Sequence, residues 1–313
     1  MRSPRILLAA CLLSGCAAAG RVFSDDALRE TEAVFAAGGY PEVIARLGEG
    51  GVQKLPRRSR AAAYHLLGQS YLRTGESVLA LQTYKVAEGL HPKDLTILTD
   101  LADLLRSAGL ADLARPYYER VLDIHPGNAV SHVGLALVFR EYGNLAKAQE
   151  HYELALREWD RNPVLLKGYA EVLADRGDLA AATRAIRRSL DLQVEPDALV
   201  CLARLQRRQG AKAESYASLA DAALREPRRA EWALQRGLWL LEDGRFDEAR
   251  ELADRLIELD AASPLARWLR ASIAMRRGQL AAAEEDLAAA AASRDDPFTA
   301  RVAGAMLELL EKP

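Results

Sequence analysis

Cysteine is scarce: three residues in 313, two of them within the first sixteen, which leaves Cys201 alone in the body of the chain. One thiol cannot close an internal disulfide, so the fold must rest on packing. Aromatic residues make up 6% of the chain and proline contributes twelve positions. Valine, isoleucine and threonine are sparse while Ala, Leu, Arg and Glu abound, a balance that favours helix throughout. No surplus of one charge exists either, with 42 basic against 44 acidic residues, which argues against bulk attraction to nucleic acid.

Motifs of chemistry are missing as well. The chain contains no G-x-S-x-G elbow, no H-E-x-x-H, no G-x-x-x-x-G-K and no C-x-x-C. Five histidines are present, and His91 and His125 stand directly before Pro92 and Pro126, which suits capping or surface roles better than metal binding. Cys201, next to Leu202, reads as a packed thiol rather than a nucleophile. The expectation is a protein that is not an enzyme, with no catalytic residue, cofactor, metal or small-molecule substrate.

What is present begins with "LLAACLLSGCAAAG", residues 7–20. Arg2 and Arg5 precede an apolar run of about 15 residues, shorter than the ~20 needed to cross a bilayer. A basic start, a short apolar core and small residues at its end describe a secretory signal peptide rather than a buried first helix. Within it, Leu13-Ser14-Gly15-Cys16 resembles the bacterial lipobox. That resemblance implies removal of residues 1–15, acylation of Cys16 and a short tether over residues 16–24; an ordinary signal peptide cleaved nearby is the alternative. Two or more acyl chains anchor a protein durably where one does not. Ala17 stands where an aspartate would resemble an inner-membrane retention signal, so the expected location is the periplasmic face of the outer membrane.

The body of the chain repeats. Gly75, Gly109, Gly143, Gly177, Gly210, Gly244 and Gly278 follow one another at intervals of 34, 34, 34, 33, 34 and 34 residues. "YHLLGQSYLRTGESVLALQTYKVAEGLHP" carries Leu67-Gly68, Tyr71, Gly75, Ala80, Tyr84, Ala87 and Pro92. The next segment sets Leu101-Ala102, Leu105, Gly109, Ala114, Tyr118, Val121 and Pro126 at the same offsets. This pattern is similar to that of the tetratricopeptide repeat (TPR), in which each unit is a helix–turn–helix. Small residues at the eighth and twentieth positions let the paired helices approach, tyrosines such as Tyr84, Tyr118 and Tyr152 fill the space left open, and the glycine ends the first helix. Ser215, Arg236 and Arg270 depart from the pattern.

A single pair cannot bury its apolar face, so neighbours must stack. The expected fold is all-α, a TPR solenoid coiling as a right-handed superhelix. Its repeats run over residues 61–94, 95–128, 129–162, 163–195, 196–229, 230–263 and 264–297, together 61–297. Residues 25–60 read as a degenerate helical pair and loop, with Asp25 or Asp26 as a helix cap and Pro41 opening the second helix. The basic stretch Lys54 to Arg60 reads as a solvated loop, with contact to anionic headgroups as the alternative. Pro116 falls near the first turn of its helix, and residues 298–313 form a closing helix with Phe298, Val302, Ala305, Met306 and Leu309 on one face.

In the family, positions two, five, nine, twelve and thirteen of the first helix usually point into a concave groove. The resemblance therefore implies a protein-binding groove containing Thr99, Asp103, Arg106, Arg140, Lys167, Glu171, Arg204 and Arg207. Leu234, Leu238 and Leu241, with Trp268 and Met275 one repeat later, form either an apolar trough for a partner helix or part of the core. The lysine–asparagine clamp of chaperone-binding repeats is missing. Lipobox, tether and repeat array together resemble the pilotin-type TPR lipoproteins of type IV and Flp (Tad) pilus systems. That likeness implies a scaffold that helps assemble an envelope machine, with a secretin subunit as a partner; an adaptor for peptidoglycan enzymes or polysaccharide export is the second reading.

Overall fold

The structure is a computed structural model that describes residues 25–310 apart from Arg228 and Asp295, and only the backbone of Asp25 and Ala230. The lipobox residues Leu13, Ser14, Gly15 and Cys16 therefore lie outside the described residues. Among the described residues every regular element is helical, with seventeen α-helices and two short 3-10 turns. They fall into two compact units divided between Asp160 and Arg161.

The first unit contains α1 (Asp25–Ala36), α2 (Tyr40–Leu47), α3 (Arg60–Arg73), α4 (Ser77–Leu90), α5 (Leu95–Ser107), α6 (Ala111–Ile124), α7 (Ala129–Glu141) and α8 (Leu145–Glu158). The second contains α9 (Pro163–Asp175), α10 (Leu179–Leu192), α11 (Pro196–Arg208), α12 (Lys212–Arg225), α13 (Ala230–Glu242), α14 (Phe246–Leu259), α15 (Pro264–Arg276), α16 (Leu280–Ala291) and α17 (Pro297–Leu310). Within each unit the helices pair in sequence, α3 with α4 and α9 with α10, and each pair packs on the next. The fold is all-α and solenoidal.

The periodic glycines explain where each first helix stops. Gly75 has φ 86°, and the other six lie between 71° and 89°, a left-handed backbone that residues with a Cβ adopt only at a cost. In that conformation the Gly75 amide donates to Leu72 O at 3.2 Å and the Glu76 amide to Tyr71 O at 2.8 Å. These two bonds satisfy carbonyls that the ended helix would otherwise strand. The outer bond recurs at all seven turns, at 2.8–3.0 Å. Asp94, Asn128, Asn162, Asn144, Asp178 and Ser263 accept backbone N–H bonds and open their helices. Asp25 and Asp26, expected as caps, instead lie inside the first turn of α1, whereas Pro41 does sit at the start of α2.

Packing follows the small residues. Ala80, Ala114, Ala148, Ala182, Ala249 and Ala283 are fully buried, as are Ala102, Ala136, Ala170, Ala203 and Ala271 on the partner helices. Ser215 takes the alanine place in α12, equally buried, with its hydroxyl donating to Lys212 O at 2.8 Å. A Cβ on Gly68 would stand 2.5 Å from the Tyr84 ring, and one on Gly134 would stand 2.3 Å from Tyr118. Glycine there is what lets the buried tyrosines lie against a helix backbone.

In the basic stretch Lys54–Arg60 the side chains of Lys54, Arg57 and Arg58 are exposed, a 3-10 turn covers Arg57–Ser59, and Arg60 opens α3 and donates to Leu55 O at 3.0 Å and Gln53 O at 2.7 Å. Two expectations need correction. Pro116 lies in the second turn of α6, inside the helix, where its missing N–H removes a bond rather than sparing an orphan. On α17 the packed face is Thr299, Ala303, Met306, Leu307 and Leu310; Phe298 and Leu309 are exposed. The choice of face depended on what lay beneath the helix, and that was Ala283, Leu287 and Ala290 of α16.

Candidate functional site

The first helices of the first three repeats, α3, α5 and α7, line an open cleft of about 730 Å³ within the first unit. Helical periodicity builds its wall: Gln69, Leu72 and Arg73 from α3, Asp100, Asp103, Leu104 and Ser107 from α5, and Val130, Val133 and Leu137 from α7 recur at the one-, three- and four-residue steps of a single helix face. Gly134 lies among them, and Phe35 of α1 reaches in from the N-terminal pair. Apolar side chains supply most of the α7 wall, and polar groups concentrate on α5.

Those polar groups are coupled. Asp100 Oδ2 is 2.7 Å from His65 Nε2 and accepts from Gln69 Nε2 at 3.0 Å. Asp103 Oδ1 accepts the hydroxyl proton of buried Tyr118. Burial raises the Asp103 carboxyl above the usual carboxylate range, against the opposing pull of the Tyr118 hydrogen bond and Arg106. The Tyr118 hydroxyl is pushed far up by the same burial and by the Asp103 charge. Arg106 reaches Glu141 of α7 at 3.6 Å, and its buried Nε has no hydrogen-bond partner among the described residues. The arrangement offers hydrogen-bond acceptors beside an apolar wall, which suits holding a polypeptide segment.

Of the residues expected in the groove, Asp103 and Arg106 line the cleft. Thr99 does not: it is buried, and its hydroxyl bonds back to Leu95 O at 2.7 Å. Arg140 is half-buried on α7, Lys167 and Glu171 are half-buried on α9, and Arg204 is exposed on α11. Arg207 is already engaged, bonded to Asp243 at 2.9 and 3.2 Å and to Glu242 at 2.9 Å, while its guanidinium lies over the Trp239 ring. A partner would have to displace those bonds.

The apolar trough is filled by the protein itself. Leu234 is 7% exposed and belongs to the core of the second unit, with Leu238 and Leu241 packed against it. Trp268 donates its indole N–H to Met306 Sδ at 3.1 Å, and Met275 packs with Met306 and Leu310 under α17. Arg270, where leucine is usual, makes two bonds of 2.7 Å to nearly buried Asp286 and one of 2.9 Å to Asp254. An ion network thus replaces the apolar contact.

Sequence reasoning missed Gln69, Leu72, Val133 and Leu137 as a lining, and His65 as a partner of Asp100. The signal was present: they occupy positions five, nine and twelve of the first repeat and five and nine of the third. Asp100 falls outside that positional rule, at position six, and Phe35 comes from the degenerate pair. Among the described residues no group of three or more His, Cys, Asp or Glu could hold a metal ion, and no helix is long and apolar enough to cross a membrane.

Comparison with known proteins agrees with this architecture. Two profiles described as tetratricopeptide repeat match residues 94–157 and, in two overlapping segments, 202–264 and 234–298, just over half of the chain. No curated protein matches the chain. Among solved structures, a tetratricopeptide repeat protein from Parabacteroides merdae ATCC 43184 is similar at 18% identity and TM-score 0.59, covering 80% of this chain and 99% of its own. A structure from the functional characterisation of Pseudomonas aeruginosa pilF is similar at 17% identity and TM-score 0.53, covering 68% and 97%. TTC0263, a thermophilic TPR protein of Thermus thermophilus, is similar at 22% identity and TM-score 0.51, covering 58% and 99%. At these identities the likeness is one of fold.

Proposed function

The chain belongs to the tetratricopeptide-repeat family, and on that premise we propose that it is a non-enzymatic scaffold which captures a protein partner in the cleft of its first unit. The single observation that carries this reading is the open cleft of about 730 Å³, where an apolar wall from α7 faces the carboxylates of α5. Repeat arrays bind through such concave surfaces because successive first helices present side chains at fixed spacing.

The setting we propose comes from the sequence. The lipobox-like Leu13-Ser14-Gly15-Cys16 supports acylation at Cys16 and an anchor on the periplasmic face of the outer membrane. Only about eight residues would then separate the lipid from α1, which keeps the scaffold near the membrane surface. An envelope machine such as a type IV or Flp pilus is the assembly we propose it serves, with a secretin subunit as the captured partner. The resemblance to pilotin-type TPR lipoproteins supports that choice, and the pilF structure shares the fold.

The test is co-purification from detergent-solubilised outer membrane with the intact protein and with Val133→Arg, which charges the apolar wall of the cleft. The expected result is a secretin subunit retained by the first and lost by the second. Retention of peptidoglycan enzymes or polysaccharide-export proteins instead would replace the pilus reading. Equal retention by both forms would move the binding surface out of the cleft.

A further inference from the structure

The cleft carries its charge unevenly. Asp100 and Asp103 sit one turn apart on α5, the middle helix of the three, so both carboxylates lie on its cleft-lining face. Their partners are incomplete. His65 and Gln69 both bond Oδ2 of Asp100, and no bond reaches its Oδ1 among the described residues. Asp103 uses Oδ1 for Tyr118, and no bond reaches its Oδ2 among the described residues. Arg73 of α3 and Arg106 also line the cleft; Arg106 is shared with Glu141 of α7 at 3.6 Å, and among the described residues neither arginine forms an ion pair with Asp100 or Asp103. Each carboxylate also repels the other, and burial without full compensation keeps Asp103 from ionising as easily as an ordinary aspartate. A cation entering the cleft would relieve both effects at once.

The surroundings narrow that cation to one attached to an apolar chain. Leu72 precedes the pair on the α3 side, and Val130, Val133 and Leu137 follow it on the α7 side. A free inorganic cation would gain nothing from those contacts. A lysine or arginine whose neighbours in sequence are apolar would bury its stem along them and deliver its head to the open oxygens.

Resting on the cleft reading above, we propose that the occupant is a polypeptide segment that sets one lysine or arginine against Asp100 and Asp103, with apolar side chains against Leu72 on one side and Val133 and Leu137 on the other. The segment is the charge opposite of the acidic, carboxylate-ended peptide that a lysine clamp would take.

The experiment uses the full chain in detergent, immobilised and exposed to an oriented library of peptides about ten residues long with leucine or valine fixed at two places. Retained peptides are read by mass spectrometry. Lysine or arginine should be enriched about fivefold at one position, the size expected of a partly exposed ion pair. The paired substitutions Asp100→Asn and Asp103→Asn should remove that enrichment and leave the apolar preference standing. Asparagine can still accept from Tyr118, and Asp100→Asn alone leaves the Tyr118 bond untouched, so a folded variant with half the charge is available; it should show a reduced basic preference. Retention with no basic preference, or with one that survives both substitutions, overturns the proposal while leaving the cleft as a binding site. No retention by the intact protein, or retention unaffected by Val133→Arg, overturns the cleft reading as well.

Discussion

Arg207 on α11 holds Asp243, the residue that follows α13, through both terminal nitrogens at 2.9 and 3.2 Å. Lys212 adds a contact of 2.7 Å and the Tyr216 hydroxyl donates a further hydrogen bond to the same carboxylate. The first helices of two consecutive pairs are thereby tied end to end. Arg106 reaches Glu141 across the corresponding step of the first unit. The twelfth position of a repeat therefore serves two purposes in this chain, and at Arg207 the structural one has taken the whole side chain.

That tie makes a stability prediction. Asp243 is nearly buried, and removing it leaves Arg207 without its main partner. Asp243→Ala should lower the stability of the second unit by about 3 kcal/mol, the cost of breaking rather than replacing a mostly buried pair. Urea unfolding followed by circular dichroism measures it; a loss below about 0.5 kcal/mol would mean the pair is solvated in practice.

The same group predicts an acid response. Hydrogen bonds from Arg207 hold the Asp243 carboxyl well below the usual carboxylate range, with Lys212 and Tyr216 adding to the effect. The unfolded chain therefore binds more protons than the folded one in acid. The contribution is present above about pH 4 and lost as the pH falls further. Thermal midpoints of the second unit should drop on that descent, and Asp243→Asn should flatten this part of the curve.

A second titration belongs to the first unit. His132 and His151 face each other at 3.0 Å between their Nδ1 atoms, and His132 Nε2 lies 2.9 Å from Pro126 O. Phe139 stacks on the His151 ring at 5.3 Å, and Lys147 and Glu150 are the charged neighbours. Burial, then the His132 charge, lowers the His151 pKa. Stability is then complete above the ordinary histidine range, near pH 6.5, and declines as the pH falls below it. The melting midpoint should fall between about pH 7.5 and about pH 5.5, and less steeply in His151→Phe. An identical slope in the two proteins would remove this pair from the account.

The glycines separate two kinds of constraint. Gly109 needs only its left-handed backbone, with nothing within 4 Å of an added Cβ, so Gly109→Ala should cost about 1 kcal/mol. Gly134 is helical, and its added Cβ would meet the buried Tyr118 ring at 2.3 Å, so Gly134→Ala should cost about 2–3 kcal/mol. Parallel urea titrations rank them, and the reverse order would contradict the packing described.

The repeat was legible because its physics is local. A glycine that must turn left-handed, an alanine that must admit a neighbour and a tyrosine that fills the gap each leave a residue type at a fixed offset. The cleft was half legible: Asp103 and Arg106 followed from the register, while Asp100 lines the same cleft outside the positional rule. Thr99 went the other way and is buried, while Leu234 and partly buried Trp268 took the core side of the alternative, packed by neighbours that no single repeat reveals. The face of α17 was misread for the same reason, since Phe298 and Leu309 are as apolar as the residues that pack. Arg207 carried no mark in sequence of its commitment to an aspartate 36 residues later.

Capture in the cleft is tested most directly by photocrosslinking in living cells, with benzoylphenylalanine placed at Val133 inside the cleft or at Val78, which is 70% exposed on α4 and outside the cleft lining. A discrete protein crosslinked through position 133 and not through position 78 is the predicted result. Crosslinking through position 78 with none through position 133 would contradict it.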